Sequence, residues 1–179
     1  IQMLLPLHGF VWRQDLGYIL GKYDLWSRYE PEQRGVVIAY ASVYGGTENA
    51  ANILACRLRE QGVQVEMFDT SVTPASYILA AAFRFSHVVL AAPTYNGGVF
   101  VTMENLLHDL TAHGLKGRRA AYIENGSWAP TSARGMQKLL EPLNWETAAD
   151  TVTLRSALRQ GQQEDLERMA MQLAESVKA

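Results

Sequence analysis

The sequence has few of the features that mark secreted, membrane-bound or nucleic-acid-binding proteins. Its 179 residues include one cysteine, Cys56, which excludes an internal disulfide and leads us to expect a reducing, cytoplasmic setting. No apolar run approaches the roughly 20 residues that a membrane-spanning helix needs, so no membrane association is expected. The formal net charge is -2, which gives no electrostatic attraction to nucleic acid. With 48% apolar and 19% charged residues, the composition is that of an ordinary globular protein with one good core.

A loop of glycines and hydroxyl side chains follows an apolar run at residues 35–41, and it lacks the marks of common phosphate loops. It has no Gly-Lys-Ser/Thr ending, and Gly45 and Gly46 are adjacent rather than spaced as in a dinucleotide fingerprint. Because an amphipathic helix pattern follows, its first amides and the loop hydroxyls can hold an anion, and a terminal monophosphate fits best. A plain helix N-cap is the alternative. The predicted phosphate-binding residues are Ser42, Val43, Tyr44, Gly45, Gly46 and Thr47.

Strand and helix patterns alternate from Gly35 onwards. The predicted strands are residues 35–41, 63–68, 87–92, 120–124 and 151–154, and the predicted helices are residues 48–61, 74–85, 103–113, 133–143 and 164–177. Pro142 is expected to disturb the fourth of these helices. Cys56, near the apolar side of the first, is interpreted as a small buried hydrophobic residue. The alternation predicts an α/β fold, a doubly wound five-stranded parallel sheet with helices on both faces.

Ligands of such sheets bind beyond the carboxyl ends of the strands, and two further unusual loops are predicted there. Each combines an aromatic ring with glycine and asparagine, which offers a stacking surface beside approachable amides and predicts a planar heteroaromatic ligand. Simple Asn-Gly turns and a tryptophan against the core edge are the alternatives. The residues are Pro93, Thr94, Tyr95, Asn96, Gly97 and Gly98 in the second loop, and Asn125, Gly126, Ser127 and Trp128 in the third.

Together these three loops resemble the FMN-binding loops of the flavodoxin-like domain in flavodiiron proteins, also called A-type flavoproteins. The resemblance covers roughly residues 35–178, and it implies that residues 35–179 are a flavodoxin-like FMN-binding domain. Upstream, residues 6–13 (Pro-Leu-His-Gly-Phe-Val-Trp-Arg) and 23–27 (Tyr-Asp-Leu-Trp-Ser) resemble the end of that family's metallo-β-lactamase-like domain and its linker. Residues 1–34 would then be a remnant of that domain, and we expect them to lie loosely or to pair with another chain.

The resemblance also implies a function. The first loop would hold the FMN phosphate, and the other two would flank the isoalloxazine ring, with Tyr95 and Trp128 as its aromatic neighbours. Electrons from rubredoxin or a reductase would pass through FMN to a di-iron site that reduces dioxygen or nitric oxide in a homodimeric full-length parent. His8 matches the last histidine ligand of that site, but the family's other ligands have no counterpart here, so we expect no stable metal in this chain. Gly97 and Gly98 replace bulkier residues of the family, which leaves the contacts of that loop open.

Two other classes of function remain open. One is a free-standing flavodoxin-like carrier or NAD(P)H:quinone reductase, although such a protein has no use for the segment around His8. The other is a non-catalytic α/β binding module, such as a receiver-like scaffold that holds magnesium with clustered acids at strand ends. Asp69 is the one obvious acid at the ends of the first three predicted strands, which makes this class the weaker rival.

Overall fold

The computed structural model describes residues 1–179, and at its centre lies a mostly parallel sheet. The hydrogen-bonded order is β2-β1-β3-β5-β6, with β7 also paired to β5 and β4 folded back antiparallel onto β3. The strands are β1 (Gln33–Tyr40), β2 (Val65–Asp69), β3 (Phe85–Tyr95), β4 (Gly98–Val99), β5 (Arg119–Asn125), β6 (Glu146–Thr147) and β7 (Val152–Leu154).

Helices cover both faces of this sheet, as predicted. They are α1 (Leu16–Ser27), α2 (Gly46–Glu60), α3 (Ala75–Arg84), α4 (Val101–Ala112), α5 (Ser132–Leu140) and α6 (Gln160–Lys178), with a 3₁₀ turn at Glu141–Leu143. One core of 21 buried residues joins α2 and α6 to the sheet, and a second core of 19 joins α3, α4 and α5 to the other face. The predicted doubly wound fold is therefore confirmed. None of the helices is long and apolar enough to cross a membrane.

The strand order places a switch point beside β1. From β1 the chain moves to one side to form β2, and it then crosses back to form β3 on the other side of β1. Val36 is accordingly in register with Val65 of β2 and with His87 of β3. The loops that leave β1 and β3 therefore diverge, and the loop after β5 lies next to them at the same edge. This arrangement opens a crevice at the carboxyl ends of the strands.

The predicted fifth strand is divided into two short pieces that both pair with β5. Thr147 pairs with Ala120, and Val152 pairs with Ile123. Between these two pairs β5 advances by three residues, whereas the chain from β6 to β7 advances by five. The two additional residues make the chain leave the ladder between β6 and β7. Pro142 has the predicted effect, because the α-helical part of α5 ends at Leu140 and continues as a 3₁₀ turn.

One expectation is wrong, and one of the two alternatives given for residues 1–34 does not hold. Cys56 is exposed, because Leu54, Ala55 and Leu58 occupy the buried side of α2 and position 56 lies outside that stripe. Residues 1–34 are also not loose throughout: residues 16–27 form α1, and residues 33–34 belong to β1. Helix α1 has no buried residue, and it is linked to the domain where Lys22 and the Trp26 indole N–H both bind Glu32.

Candidate functional site

All three predicted loops meet at the carboxyl edge of the sheet and surround a cavity of 410 Å³. A fourth segment, which the sequence did not suggest, completes its wall. The lining residues are Ser42, Val43, Tyr44, Gly46, Thr47, Pro93, Thr94, Tyr95, Asn125, Gly126, Ser127, Ser156 and Ala157. Five predicted residues lie outside this lining: Gly45, Asn96, Gly97, Gly98 and Trp128. No charged side chain is among the lining residues, so any anion bound here must be held by amides and hydroxyls.

The first loop leads directly into α2 and leaves helix amides available. Gly45 adopts φ 78°, a left-handed conformation that glycine tolerates without strain. The Ser42 hydroxyl accepts a hydrogen bond from the Glu48 amide at 3.3 Å, and the Gly45 carbonyl accepts one from the Asn49 amide at 2.9 Å. The amides of Gly46 and Thr47, at the start of α2, have no acceptor within the helix. Together with the positive end of the helix dipole, these free amides give the turn the chemistry that suits an anion.

Helix α5 also begins at this edge, but its first amides are already occupied. The Thr94 hydroxyl accepts hydrogen bonds from the amides of Thr131 at 2.8 Å and Ser132 at 3.1 Å. The Glu124 carboxylate accepts another from the Ala133 amide at 3.1 Å. The first amides of α5 are therefore not available to an anion, whereas those of Gly46 and Thr47 in α2 border the cavity without an acceptor in the helix.

Aromatic side chains beside the cavity are exposed rather than packed into the core. Tyr95 lines the cavity, is 52% exposed and meets Phe100 edge-on at 5.6 Å between ring centroids. Tyr44 is 98% exposed and Trp128 is 93% exposed, which excludes the alternative that Trp128 packs against the core edge. Exposed rings around a cavity suit a flat ligand that would cover them.

The second loop is a tight hairpin, and the simple Asn-Gly turn that the sequence analysis gave as the alternative is present there. Tyr95 pairs with Gly98, and the two residues between them have positive φ, 49° at Asn96 and 75° at Gly97. This is the geometry of a two-residue hairpin turn with an Asn-Gly sequence. Asn96 and Gly97 therefore shape the loop, and Tyr95 at its base reaches the cavity.

The fourth segment follows β7 and is fixed by Asn125. The side-chain amide of Asn125 donates to the Ser156 carbonyl at 2.9 Å and to the Thr47 hydroxyl at 3.3 Å, and its oxygen accepts from the Ser156 amide at 2.9 Å. The sequence around Ser156 (Arg-Ser-Ala-Leu) contains no glycine, asparagine or aromatic residue. Its position after the last strand of the sheet is the one signal that could have found it.

The acidic residues Glu48 and Asp69 at this edge do not line the cavity. Tyr40, the last residue of β1, donates from its hydroxyl to the Glu48 carboxylate at 3.4 Å. Burial, together with the nearby charges of Glu48 and Asp69, raises the pKa of the Tyr40 phenol, so it stays protonated at neutral pH. The Glu48 carboxylate in the first turn of α2 also interacts favourably with the helix dipole.

His8 is exposed and far from any set of ligands. No group of three or more His, Cys, Asp and Glu side chains in the molecule could hold a metal ion. The magnesium site of a receiver-like module therefore also has no counterpart at Asp69.

The fold and the edge cavity together define a flavodoxin-like domain: a parallel sheet with a cavity between the loops that follow β1, β3 and β5. A family model described as "Flavodoxin domain" matches residues 37–179, and the chain belongs to this family. The three loops that resemble the FMN-binding loops of flavodiiron proteins therefore lie within a flavodoxin domain, as predicted.

Several relatives are named as reductases of nitric oxide or oxygen. A nitric oxide reductase of Moorella thermoacetica is 29% identical over 141 residues, which are 79% of this chain and 34% of the relative. A rubredoxin-oxygen oxidoreductase of Megalodesulfovibrio gigas is 22% identical over 180 residues, 99% of this chain and 44% of the relative. The chain spans less than half the length of these curated relatives.

Structural similarity extends to the whole chain. The rubredoxin oxygen:oxidoreductase of Desulfovibrio gigas superposes with a TM-score of 0.91 at 22% identity, covering 99% of this chain and 44% of that one. The flavodiiron protein of Giardia intestinalis gives 0.88 at 21% identity, with the same coverage. At these identities the superpositions establish the fold, including the helical N-terminal segment.

Proposed function

We propose that this chain is the FMN-binding electron-transfer domain of a flavodiiron-type oxidoreductase. The observation that carries the proposal is the uncharged cavity at the switch point, where helix amides and hydroxyls converge beside exposed aromatic rings. FMN combines a terminal phosphate with a flat ring, and each part has a matching surface here.

The residues present fit FMN. The amides of Gly46 and Thr47 and the hydroxyls of Ser42 and Thr47 would hold the phosphate, with Val43, Tyr44 and Gly45 completing the turn. The second and third loops would flank the ring, Tyr95 from one side and Gly126 and Ser127 from the other. Trp128 stands outside the cavity wall, so we assign it to the rim. When bound, FMN supplies the ability to take up and release electrons, while the protein sets its position and surroundings.

Exchange of electrons with another protein requires access to the ring, and the rim of this cavity is open. Tyr44 in the cavity wall and Trp128 next to Ser127 both project into solvent. Relatives carry the names rubredoxin-oxygen oxidoreductase and flavorubredoxin, so we propose a rubredoxin-type protein or a reductase as the electron donor. We propose a cytoplasmic location for this exchange.

The N-terminal segment fits a longer parent protein. Residues 1–34 are proposed to be the end of a metallo-β-lactamase-like domain, whose di-iron site would use His8 and reduce dioxygen or nitric oxide. Exposed apolar side chains support this assignment, because Leu7 is 98% exposed and Phe10 is 85% exposed. Side chains of this kind are normally covered by protein. In the parent we expect a homodimer.

An FMN titration of the purified chain, followed by visible absorption and fluorescence, tests the proposal. We expect tight binding with quenched fluorescence, and much weaker binding of riboflavin, which has the same ring but no phosphate. Equal binding of the two compounds would remove the role assigned to residues 42–47. If neither compound binds, the proposed function is wrong for this chain.

A further inference from the structure

The segment after β7 lies in the wall of the cavity although no sequence motif marks it. Ser156 and Ala157 both line the cavity, and Ser156 has φ 67°, a left-handed conformation that is uncommon for a serine. An uncommon backbone conformation persists where surrounding contacts determine it. Here the contacts come from Asn125 and Ser127 of the third loop.

The side-chain amide of Asn125 pairs with the backbone of Ser156 in the way that another peptide group would. It is 7% exposed, and its amide exchanges two hydrogen bonds of 2.9 Å with the backbone of Ser156. Its second N–H donates to the Thr47 hydroxyl at 3.3 Å. One buried side chain therefore joins the first loop, the third loop and the segment after β7. A side chain at position 125 must offer both N–H donors and an oxygen acceptor to make these three hydrogen bonds. Neither aspartate nor leucine offers both.

The same segment lies directly over the start of α2. A Cβ atom added to Gly46 would come within 2.4 Å of the Ser156 carbonyl oxygen, so the two backbones are in close contact. The hydroxyls of Ser156 and Ser127 lie 2.9 Å apart. One hydrogen bond between them uses one hydroxyl hydrogen and leaves the other for a ligand.

From these contacts we propose that Ser156 and Ala157 form a fourth cofactor-binding segment, and that Asn125 is the positioning residue that holds it against the first loop. The inference rests on the proposed FMN function. It assigns the segment to the phosphate side of the cofactor, because the Ser156 carbonyl lies against Gly46 at the start of α2. The Ser156 hydroxyl meets Ser127, so the segment also borders the third loop.

Hydrogen exchange with and without FMN tests the segment directly in the wild-type chain. Saturation is verified separately by the visible absorption of bound FMN. We expect FMN to slow amide exchange both in residues 44–48 and in residues 155–158. Protection of residues 44–48 alone would overturn the role of the fourth segment. Absence of FMN binding would instead contradict the proposed function, so the two failures are distinguishable.

The variant Asn125→Asp tests the positioning role, because it keeps the shape and the acceptor but removes both N–H donors. We expect its FMN affinity to fall by about tenfold or more, its riboflavin affinity to change much less, and the protection of residues 155–158 to be lost. Asn144→Asp is the matched control, since it adds the same charge at an exposed residue outside the cavity. FMN affinity of Asn125→Asp equal to that of the control would overturn the positioning role.

A second variant covers the case in which Asn125→Asp does not fold, which circular dichroism would show. Ser156→Ala keeps the backbone pairing with Asn125 and removes only the hydroxyl. We expect its FMN affinity to fall by about threefold while residues 155–158 stay protected by FMN. Loss of that protection in a folded Ser156→Ala variant would show that the backbone pairing with Asn125 does not hold the segment.

Discussion

At the scale of single residues, position 46 requires glycine because Ser156 lies so close, and not because the backbone there has a positive φ. Any side chain there meets the Ser156 carbonyl, since a Cβ would lie 2.4 Å from that oxygen. We expect Gly46→Ala to lower the free energy of unfolding by about 1–3 kcal/mol, because the α2 start and the segment after β7 must move apart. Urea unfolding measures this change, and an FMN titration of the same variant should show weaker binding.

The control for this glycine is Gly161, which lies in α6 with open space around it. Gly161→Ala should leave stability unchanged or raise it by up to about 1 kcal/mol, because alanine restricts the unfolded chain. Equal stability of Gly46→Ala and Gly161→Ala would contradict the close contact at Ser156.

His87 makes stability depend on pH. It is 3% exposed, and its ring nitrogens lie 2.8 Å from the Ser86 hydroxyl and 3.0 Å from that of Ser176. Burial, reinforced by Arg119 and Arg34, lowers the pKa of His87 to about 4. The unfolded chain, with a pKa near 6.5 at this position, binds the proton more strongly. The stability from neutral His87 is therefore full above pH 6.5 and is lost as pH falls towards 4.

Unfolding free energies at pH 7 and pH 4.5 test this effect. The loss for the wild-type chain should exceed that of His87→Gln by up to about 3 kcal/mol, because glutamine does not titrate. His108→Gln replaces an exposed histidine and should keep the wild-type pH dependence. A His87→Gln variant with the same pH dependence as the wild type would refute the assignment.

At the scale of secondary-structure elements, the start of α5 depends on a residue of another loop. Thr94 accepts hydrogen bonds from two α5 amides and also lines the cavity, so it links β3 to α5. We expect Thr94→Val to lower the free energy of unfolding by about 1 kcal/mol, the usual cost of losing a helix cap. Thr94→Ser keeps the hydroxyl and should stay near the wild type. Chemical unfolding of the two variants distinguishes this capping role from simple loss of volume.

Elements with a strong local pattern were predictable from the sequence. Val36–Ala39 and Val88–Ala92 are unbroken apolar runs that form fully covered central strands, and the 3.6-residue repeat of Leu54 and Leu58 marks α2. The switch point then places three loops at one edge. The α/β class and the place of the cavity follow from these facts alone.

Elements that depend on partners elsewhere in the chain were not predictable. Helix α1 has no buried residue, and its apolar side chains lie on more than one side, so no single stripe marks a core-facing side. Strand β4 has two residues that exist as a strand only by folding back onto β3. Ser156 reaches the cavity through the amide of Asn125, a contact between residues 31 positions apart. For Cys56, an error of one position on α2 reversed its burial, because each step around a helix turns the side chain by about 100°.

At the scale of the whole molecule, we predict that the purified 179-residue chain binds no stable metal. A single imidazole such as His8 cannot build a di-iron centre, which needs several nitrogen and carboxylate ligands. Elemental analysis of purified protein after dialysis should show iron far below one atom per chain. Stoichiometric iron, retained in wild type and lost in His8→Ala, would contradict this prediction.

The packed domain includes residues from about Tyr29 onwards, whereas the sequence predicted that it starts at Gly35. Arg118 is 2% exposed and has no carboxylate partner; its guanidinium donates to five backbone carbonyls, those of Tyr29, Ala82, Phe83, Lys116 and Gly117. Burial lowers the pKa of Arg118 to about 10, so it is still charged at neutral pH and needs those acceptors. The Tyr29 ring also lies 6.1 Å from that of Phe83.

Two deletions test where the domain needs its N-terminal segment. Removal of residues 1–28 should leave the free energy of unfolding and the FMN affinity near those of the full chain, because α1 contributes no buried residue and Glu32 becomes hydrated. Removal of residues 1–34 also takes away the Tyr29 carbonyl and the first two residues of β1. We expect a further loss of about 2 kcal/mol or more, the cost of a buried charge deprived of an acceptor. Equal stability of the two deletion variants would show that Arg118 does not depend on Tyr29.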